Sequence, residues 1–559
     1  MTIASVTDRF SEEDIRHFYA TGQWHRENLF DILEAQAAAQ PDHVFLTDDT
    51  SSLTFRELRD RAVGLAVGLR RHGIGPGDRV SAQIPNWTEF ATISAALSRL
   101  GAILVPIMPI YRRDEVRYVL DTADVRIAIC PNSFKKFEYL EMYRGLRDEL
   151  PGLAEIVVLR STDVPTDVIR FESLVAEIEP AAAHAELGPA AGPDEPFLIV
   201  YTSGTTSRPK GCVHTFNTYA CAARLLAKAF AYTAQDVQFG PSPITHTTGL
   251  VTSVILPLIH GAASHLMEAW DPKRGMDQIR KHGCTAVVCA TTFLQMLMDT
   301  YDSETDDISS MRIWVAAGSP IPGNVVERAT KLLPTMRVLS LYGRSENLST
   351  TVCAVDDDPA RSVTSDGRAL PLQSVRIVDQ AGNEVPRGEE GDIAYKGAMH
   401  MLEYLDQPEE TAALFTANGY SRSGDLGQMD ADGFIRVTGR TKDIVIRGGL
   451  NISVREIEDL LTAHPGVRAV AVVGMPDLKL GEAVCCYLVP LDPVHPLTLV
   501  EIKKYLLDAG LAVQKVPQRL EIANELPMTA TGKIQKHILR TQIAEQLGAG
   551  EHESGGAHR

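Results

Sequence analysis

The chain has 559 residues, of which 44% are hydrophobic and 23% are charged. Such a composition can bury large cores and excludes a wholly disordered protein, and the length predicts roughly two to four domains. The formal net charge is −18, from 54 Lys and Arg against 72 Asp and Glu, which argues against nonspecific binding to nucleic acid or to an anionic membrane. Any anionic ligand must therefore be held by local positive groups.

The cysteines show no metal-binding or disulfide pattern. Eight of them are scattered along the chain without a C-x-x-C pair, mostly in apolar runs, which predicts buried free thiols. Because the pattern of a signal peptide is also missing, we predict a location in the reducing cytoplasm. The longest apolar run, residues 250–263, is interrupted by polar residues and a proline, so we expect no integral membrane association.

Strand and helix patterns alternate along the larger part of the chain. The predicted elements are a helix capped at Ser11, a helix over 53–69, a strand over 79–84, a helix over 88–100, strands over 103–106 and 197–200, a helix over 214–230, a strand over 285–289, a helix over 293–301, and strands over 312–316 and 338–341. This alternation predicts an α/β fold with mainly parallel sheets covered by helices. Ligands bind beyond the carboxyl ends of such strands, where this chain carries glycine, small and polar residues.

The pattern changes at Gly367. Short strands alternate with Gly, Pro, Asn and Asp turns through Thr438, which predicts a small antiparallel β unit. The charged stretch 439–443 is a candidate hinge, and beyond it helices and strands resume on the scale of about 100 residues, a domain-sized unit. We therefore divide the chain into domains at 1–441 and 442–546, with a disordered tail at 547–559.

A loop rich in hydroxyl groups is the first candidate site. The segment 201–211 reads Tyr-Thr-Ser-Gly-Thr-Thr-Ser-Arg-Pro-Lys-Gly and follows an apolar strand pattern. Its backbone N–H groups and hydroxyls can turn toward one anion, Gly204 permits close backbone approach, and Lys210 adds a mobile positive charge. The spacing is not that of a Walker loop. Phosphate binding is the favoured interpretation, and an ordinary Ser/Thr/Gly-rich surface turn is the alternative.

Ordered motifs resemble the adenylate-forming superfamily, which contains acyl- and aryl-CoA synthetases, carrier-loading adenylation domains and firefly-type luciferases. The resemblance runs from Leu53 to Arg540 and rests on the segments 201–211, 342–346, 423–425, 439–451 and 527–533, which occur in the family's order. It implies a large N-terminal domain, made of two mainly parallel α/β subdomains and a small β-barrel-like subdomain. A small, mobile α+β C-terminal domain is implied to follow.

By this resemblance, the chain activates a carboxylic acid with ATP and Mg²⁺ and then transfers the acyl group to coenzyme A. The phosphate loop would hold the β- and γ-phosphates, the segments after two strands would enclose adenine, and an Asp–Arg pair would bind the ribose. The residues implied in ATP and AMP binding are Thr202, Ser203, Gly204, Thr205, Thr206, Lys210, Gly318, Ser319, Pro320, Tyr342, Gly343, Ser345, Asp425, Arg440 and Lys533.

The resemblance also implies the catalytic and metal-binding groups. Glu346 matches the family's Mg²⁺-binding glutamate, with Thr205 as a second metal ligand, and Lys533 matches the catalytic lysine that bridges the carboxylate and the α-phosphate. Two anions must meet in this reaction, so positive charge is needed between them. Taken alone, Lys533 is equally well read as a solvated loop lysine, and only the ordered set of motifs argues against that.

The second half-reaction is implied to need domain rotation. Lys442 matches the hinge, and Gly448, Gly449 and Leu450 would line the passage for the coenzyme A thiol after rotation. Gly449 would permit close backbone approach there.

The acyl pocket is implied to lie near His246, which we also count among the catalytic candidates. Its predicted lining is His246, Thr247, Thr292, Ala317, Gly318 and Gly343. Small walls leave room for a wide acid, and threonines can meet ring substituents, so an aromatic or alicyclic ring acid is favoured. These threonines could instead cap helices, and a medium-chain fatty acid stays an alternative.

The sequence also admits alternatives to a CoA ligase and shows departures from the family's motifs. A stand-alone enzyme that loads a carrier protein, or a luciferase-like oxidase, is an alternative to a CoA ligase, and a homodimer is one option for the oligomeric state. Ser207 stands where the family usually has glycine, Ser345 and Ser423 replace threonines, and Arg344 lies unexpectedly within the adenine motif. Arg344 could contact the substrate or a phosphate, or could equally point outward from the surface.

Overall fold

The computed structural model describes residues 3–202, 209–319, 321–529 and 532–554. Parallel strands form the centre of the N-terminal domain, with helices packed on both sheets, as the alternation of patterns predicts. All eight cysteines are free and buried, which confirms that prediction. Within the described ranges, no helix is both long and apolar enough to cross a bilayer.

The first sheet carries the strands whose ends are candidate ligand positions. In spatial order its strands are Arg368–Ala369, Thr351–Val352, Arg337–Tyr342, Ile313–Ala317, Ala286–Cys289, Val237–Gly240, Ala263–Leu266, Val44–Thr47 and Ser52–Thr54. The strands from Arg337–Tyr342 to Val44–Thr47 run parallel, and antiparallel strands extend the sheet at both edges. Most residues of the parallel strands are buried, as expected for strands covered on both faces.

The phosphate loop connects two neighbouring strands of the second sheet. In spatial order its strands are Glu403–Tyr404, Gly211–Thr215, Pro196–Tyr201, Ile103–Pro106, Arg79–Ala82, Ile127–Pro131, Glu155–Leu159 and Ile169–Arg170. Pro196–Tyr201 and Gly211–Thr215 pair antiparallel on either side of the loop. The sequence interpretation missed Gly211–Thr215 and began the helix at residue 214, whereas the helix spans Phe216–Phe230. Cys212, Val213 and His214 are fully buried, so tertiary pairing makes a buried strand of this short segment.

Local signals set the helix ends. The N-terminal domain's helical segments are Val6–Arg9, Glu12–Ala20, Leu29–Ala39, Phe55–Arg71, Glu89–Leu100, Arg113–Thr122, Tyr139–Arg147, Phe171–Leu174, Pro180–Leu187, Phe216–Phe230, Thr247–Leu250, Val251–Ile255, Leu256–His260, Pro272–His282, Thr291–Thr300, Gly323–Leu332, Pro359–Thr364 and Pro408–Ala412. Ser11 accepts a hydrogen bond from the Asp14 N–H and begins its helix as predicted. Gly101 ends another helix in the left-handed conformation, with φ of 69°.

The small unit predicted from Gly367 is an antiparallel sheet. Its strands, in spatial order, are Ser374–Val378, Gly391–Lys396, Ser421–Met429 and Ile435–Arg440. They bury a separate apolar cluster that includes Ile377, Ile393, Tyr395 and Ile435. The last of these strands leads directly into the turn at 441–443, which is where the sequence places the hinge.

The C-terminal domain is α+β, as predicted. Its strands are Val445–Arg447, Leu450–Ile452, Val467–Asp477, Gly481–Pro490 and Arg519–Ile522, and its helical segments are Val454–Thr462, Leu499–Asp508, Val513–Lys515 and Lys536–Ser554. Its strand pairs bury apolar clusters of their own. The last helix continues past the boundary predicted at 546, because Leu539, Ile543 and Leu547 repeat at helical spacing and pack against the sheet.

A buried ion pair joins the two domains. Arg455, on the first helix of the C-terminal domain, lies with Nη1 3.2 Å from Oδ2 of Asp366 in the N-terminal domain and also donates to the Val437 carbonyl. Arg455 is 6% exposed and Asp366 is 2% exposed. Asp459 lies 3.5 Å from Nε of Arg455 and 3.2 Å from Nη2 of Arg436, so the pair is part of a network that holds the domains in this orientation.

Replacing Arg455 should loosen the docking of the C-terminal domain. Arg455→Met removes the nearer cation of the buried Asp366 carboxylate and leaves Arg436 Nη1 at 4.0 Å from its Oδ2, so we expect a cost of up to about 3–5 kcal/mol unless the domains separate. We therefore expect trypsin to cleave after Arg440 or Lys442 at least about tenfold faster than in the wild type. Arg468→Met, at an exposed position of the same domain, is the control, and equal cleavage rates in both variants would contradict the docking role.

Candidate functional site

Two strand ends form one wall of the candidate cleft. Ile313–Ala317 and Arg337–Tyr342 are parallel neighbours, with Ala317 opposite Leu341, so the segments that follow them meet at one edge of the sheet. Gly318 has φ of 82°, a conformation that favours glycine. A Cβ at Gly343 would lie 2.0 Å from the Leu348 carbonyl oxygen, so a side chain there cannot fit. The structure thus brings the predicted adenine segments together.

The predicted ribose pair is formed. Asp425 and Arg440 face each other on neighbouring antiparallel strands, and Arg440 Nε donates to Asp425 Oδ1 at 2.9 Å. The Tyr342 hydroxyl donates to Oδ2 of the same carboxylate at 2.6 Å. Burial acts to raise the pKa of Asp425, but the charges of Arg440 and Arg344 outweigh it and hold the pKa below its ordinary value. Asp425 is therefore an ionised hydrogen-bond acceptor at the cleft.

Glu346 is buried and ionised. Its Oε1 accepts from Arg344 Nη2 at 2.8 Å and from the Tyr404 hydroxyl at 2.6 Å. Burial acts to raise the pKa of Glu346, but the charge of Arg344, followed by the Tyr404 hydrogen bond, lowers it overall. The outward, surface role considered for Arg344 is wrong, because its side chain is only 21% exposed and its guanidinium is paired with Glu346.

A divalent cation fits this carboxylate. Across the described residues, no group of three or more His, Cys, Asp and Glu side chains could hold a metal ion. Mg²⁺ typically uses one or two carboxylates and completes its coordination with water and substrate phosphates. Glu346 suits such a role, since both hydrogen bonds that described side chains make to it use Oε1.

The described end of the phosphate loop carries Lys210. Its Nζ forms an ion pair with Glu410 and lies 4.9 Å from the centroid of the Tyr404 ring. The Thr202 N–H donates to the Lys210 carbonyl at 2.9 Å, which closes the base of the loop. Other predicted ATP-binding residues lie outside the described residues, and their contacts stay predictions: Ser203, Gly204, Thr205, Thr206 and Pro320.

Lys533 reaches the N-terminal cleft from the C-terminal domain. The Thr529 N–H donates to the Lys533 carbonyl at 2.7 Å, and the Lys533 N–H donates to the Thr529 hydroxyl at 3.0 Å, which holds the lysine at a tight turn. Its Cε lies 3.1 Å from where a Cβ would stand at Gly318. Burial, with a smaller contribution from Arg440, lowers the pKa of Lys533 to about 8. The ammonium group is therefore easily titrated within the cleft.

The residues before Lys533 are fitted to the N-terminal domain. Gly532 has φ of 77°, and a Cβ there would lie 2.5 Å from the Thr292 hydroxyl and 3.2 Å from Ala290 Cβ. Only glycine can pass so close to Thr292 without displacing it. This contact shows directly that the C-terminal lysine loop is docked on the predicted acyl-pocket wall.

His246 stands near Lys533 and is neutral. Its Nδ1 accepts from the Thr248 N–H at 3.3 Å. Burial, and then the positive charge of Lys533, lower the pKa of His246 to about 3. The Thr247 hydroxyl lies 3.1 Å from the Tyr219 hydroxyl, so it already has a protein partner. Thr247 therefore gives little support to recognition of ring hydroxyls.

Two positioning contacts were not predicted from the sequence. His214 Nε2 lies 2.7 Å from the Ser345 carbonyl oxygen and so anchors the segment that carries Glu346. Burial lowers the pKa of His214 to about 4, and the neutral ring can donate this hydrogen bond. The second contact is that of Tyr404 with Glu346. Neither belongs to a sequence motif, and only their burial beside the cleft identifies them.

The predicted coenzyme A segment is a turn in the C-terminal domain. Gly448 and Gly449 join the strands Val445–Arg447 and Leu450–Ile452, and their φ values of 57° and 86° explain the two glycines. The Gly448 N–H donates to the Leu480 carbonyl at 2.7 Å. Lys442 lies in the turn that precedes these strands. The roles predicted for this turn and for Lys442 concern another domain orientation and stay predictions.

Comparison with known proteins agrees with this geometry. A family model described as "AMP-binding enzyme" matches residues 33–405, and one described as "AMP-binding enzyme C-terminal domain" matches residues 456–533. The chain is 33% identical over 544 residues to a medium-chain fatty-acid–CoA ligase of Escherichia coli (strain K12), which covers 97% of this chain and 95% of that protein. It is 30% identical over 531 residues to a 2,3-dihydroxybenzoate-AMP ligase of Bacillus subtilis (strain 168), covering 95% and 96%.

A solved structure has the same fold. The crystal structure of ATP-bound MatB from Rhodopseudomonas palustris superimposes with a TM-score of 0.81 at 27% identity and covers 92% of this chain and 99% of that one. With both family models matched in order over most of its length, and with relatives that are acyl and aryl ligases, the chain belongs to the AMP-binding enzymes and is an AMP-forming acid–thiol ligase.

Proposed function

We propose that this enzyme is a carboxylate–CoA ligase that activates a ring-bearing organic acid as its acyl-AMP and then forms the acyl-CoA. The observation that carries the proposal is the position of Lys533, which extends from the C-terminal domain to the backbone of Gly318 in the N-terminal cleft. There it shares the cleft with the carboxylates of Glu346 and Asp425, whose charges act on its pKa.

In the first half-reaction, a carboxylate oxygen of the acid attacks the α-phosphorus of ATP. The new C–O–P bond forms as the bond to pyrophosphate breaks, and no proton is transferred. Both reactants are anions, so the Lys533 ammonium between them stabilises the transition state. Mg²⁺ held by Glu346 and Thr205 would supply charge neutralisation on the phosphates, while Lys210 and Thr202 bind the β- and γ-phosphates.

In the second half-reaction, the thiol of coenzyme A attacks the acyl carbonyl carbon. The C–S bond forms, AMP leaves with the electrons of the C–O bond, and the thiol proton passes to solvent. We propose that the C-terminal domain rotates about Lys442 between the steps, so that Gly448, Gly449 and Leu450 replace Lys533 at the cleft. The Arg455–Asp366 pair must open for this rotation, since it joins the two domains.

The small residues of the pocket support a wide acid. Ala317 and Gly318 add little volume at the end of the strand Ile313–Ala317, and one relative is named for an aromatic acid. Because the Thr247 hydroxyl already pairs with Tyr219, pocket width rather than hydroxyl bonding is the argument for a ring. A medium-chain fatty acid is the second candidate, favoured by the relative that is 33% identical over 97% of this chain.

A panel of acids tests the proposed function. We expect benzoate, salicylate, naphthoate or cyclohexanecarboxylate to support exchange of labelled pyrophosphate into ATP at higher kcat/KM than hexanoate or octanoate. Addition of coenzyme A should then release AMP and acyl-CoA. Lys533→Ala is the control and should lower the exchange rate about 10²–10³-fold, by analogy with the loss of one preorganised donor.

Each alternative has its own outcome in this experiment. Preference for straight chains would replace the ring acid by a medium-chain fatty acid. Exchange without release of acyl-CoA would favour a carrier protein as the thiol acceptor. No exchange with any acid would overturn the proposed function.

The pH dependence should report the ammonium form of Lys533. Since the pKa of Lys533 is lowered to about 8, the charged form that the reaction needs is present below pH 8 and is lost as the pH rises through this value. We expect kcat/KM for pyrophosphate exchange to fall along the same limb, because this ratio follows the free enzyme. Competitive acetylation gives an independent measurement. Lys504, whose pKa the Asp508 hydrogen bond raises, is the internal reference, and parallel acetylation of both lysines would contradict the assignment.

Stiffening the hinge should separate the half-reactions. Lys442→Pro fixes φ near −65° and removes an N–H at the turn, so we expect pyrophosphate exchange to be largely retained and acyl-CoA formation to be lost. Lys442→Ala should retain both steps. Equal loss of both steps in the proline variant would show that Lys442 is not the hinge.

A further inference from the structure

Tyr404 contacts the two charged side chains that the proposed function assigns to the metal ion and the phosphates. Its hydroxyl donates to Glu346 Oε1 at 2.6 Å, and its ring centroid lies 4.9 Å from Lys210 Nζ. The residue is 4% exposed. One rigid side chain therefore sets the distance between a carboxylate and an ammonium group that lie 136 positions apart in the sequence.

The backbone around Tyr404 strengthens this link. The strand Glu403–Tyr404 pairs antiparallel with Gly211–Thr215, with Tyr404 opposite Cys212, and the Leu405 N–H donates to the Gly211 carbonyl at 2.8 Å. On the other side, the Met401 N–H donates to the Glu346 carbonyl at 2.8 Å. The segment 401–405 thus ties the end of the phosphate loop to the backbone of Glu346.

We propose that Tyr404 is a positioning residue that fixes the relative positions of the Lys210 and Glu346 side chains, so that one Mg²⁺-bound polyphosphate can contact both. This inference rests on the proposed function. The hydroxyl orients the Glu346 carboxylate through Oε1, and the ring supports the Lys210 ammonium by a cation–π contact.

The other partner of Lys210 can be exchanged, whereas Tyr404 cannot. The Glu410 side chain is 58% exposed, so water can solvate its carboxylate when a phosphate replaces it at Lys210. Tyr404 is buried, its strand pairs with Gly211–Thr215, and its N–H donates to the Thr411 hydroxyl at 2.9 Å. The ring and hydroxyl therefore stay in position before and after the nucleotide enters.

Two substitutions separate the hydroxyl from the ring. Tyr404→Phe removes only the hydroxyl, and Tyr404→Leu removes both. ATP affinity is measured calorimetrically on the full chain, with Mg²⁺ and with EDTA. We expect Tyr404→Phe to bind ATP in EDTA within about twofold of the wild type, but to lose about tenfold or more of the enhancement by Mg²⁺, since a hydrogen bond to a charged group is lost. Tyr404→Leu should also weaken binding in EDTA, by about threefold or more, through Lys210.

A matched control exists elsewhere in the chain. The Tyr19 hydroxyl donates to Asp194 Oδ2 at 2.7 Å, which is the same type of hydrogen bond. Tyr19→Phe should leave the enhancement by Mg²⁺ unchanged. If the loss in Tyr404→Phe came only from reduced stability, thermal unfolding and ATP affinity in EDTA would change together with it, and that outcome would overturn the positioning role.

The remaining outcomes distinguish this inference from the proposed function. Suppose that the wild type binds ATP and exchanges pyrophosphate, and that Mg²⁺ enhances the ATP affinity of Tyr404→Phe as much as that of the wild type. This result would overturn the role of Tyr404 alone. A wild type that shows neither ATP binding nor acid-dependent exchange would overturn both.

Discussion

The whole site depends on one side chain of the C-terminal domain, Lys533, which extends into the cleft of the N-terminal domain. Lys533 lies against the backbone of Gly318, and this approach needs a residue without a side chain at 318 and another at 532, where the loop passes Thr292. Taking the ammonium group partly out of water lowers its pKa to about 8. In the proposed reaction, two anions would meet at this ammonium group, and their charges would offset its loss of hydration.

That orientation must be stable and also reversible. A buried charge pair serves both requirements, because Arg455 and Asp366 are matched to each other in the docked state, while each can be hydrated when the domains part. Burying two charges gives little net stability compared with apolar packing of the same volume. An interface made this way specifies geometry without making separation of the domains prohibitively costly, which is what the proposed rotation about Lys442 requires.

The cleft also answers the question that the net charge poses. A chain with a formal charge of −18 has to attract a polyphosphate, and three cations at the cleft are each paired with a carboxylate: Lys210 with Glu410, Arg344 with Glu346 and Arg440 with Asp425. These pairs keep the cations in place and ionise the carboxylates. In the proposed function, the nucleotide phosphates would replace carboxylates as partners of these cations, and Tyr404 would preserve the spacing of Lys210 and Glu346.

The sequence by itself determined the α/β class, the order of the elements and the family. Hydrophobic periodicity, the Ser11 cap and Gly101 depend on local interactions, which a sequence pattern records. The ordered motifs, through the family resemblance, predict that Asp425, Arg440, Glu346 and Lys533 belong to one site. The structure joins Asp425 to Arg440 directly and brings Lys533 to Gly318. The strand Gly211–Thr215, the role of Arg344 and the contacts of Tyr404 and His214 were decided only by tertiary structure. Each depends on pairing between segments that are distant in the chain. Burial stabilises the strand and shifts the pKa values of the site, and burial is a property of the packed molecule that no local sequence pattern contains.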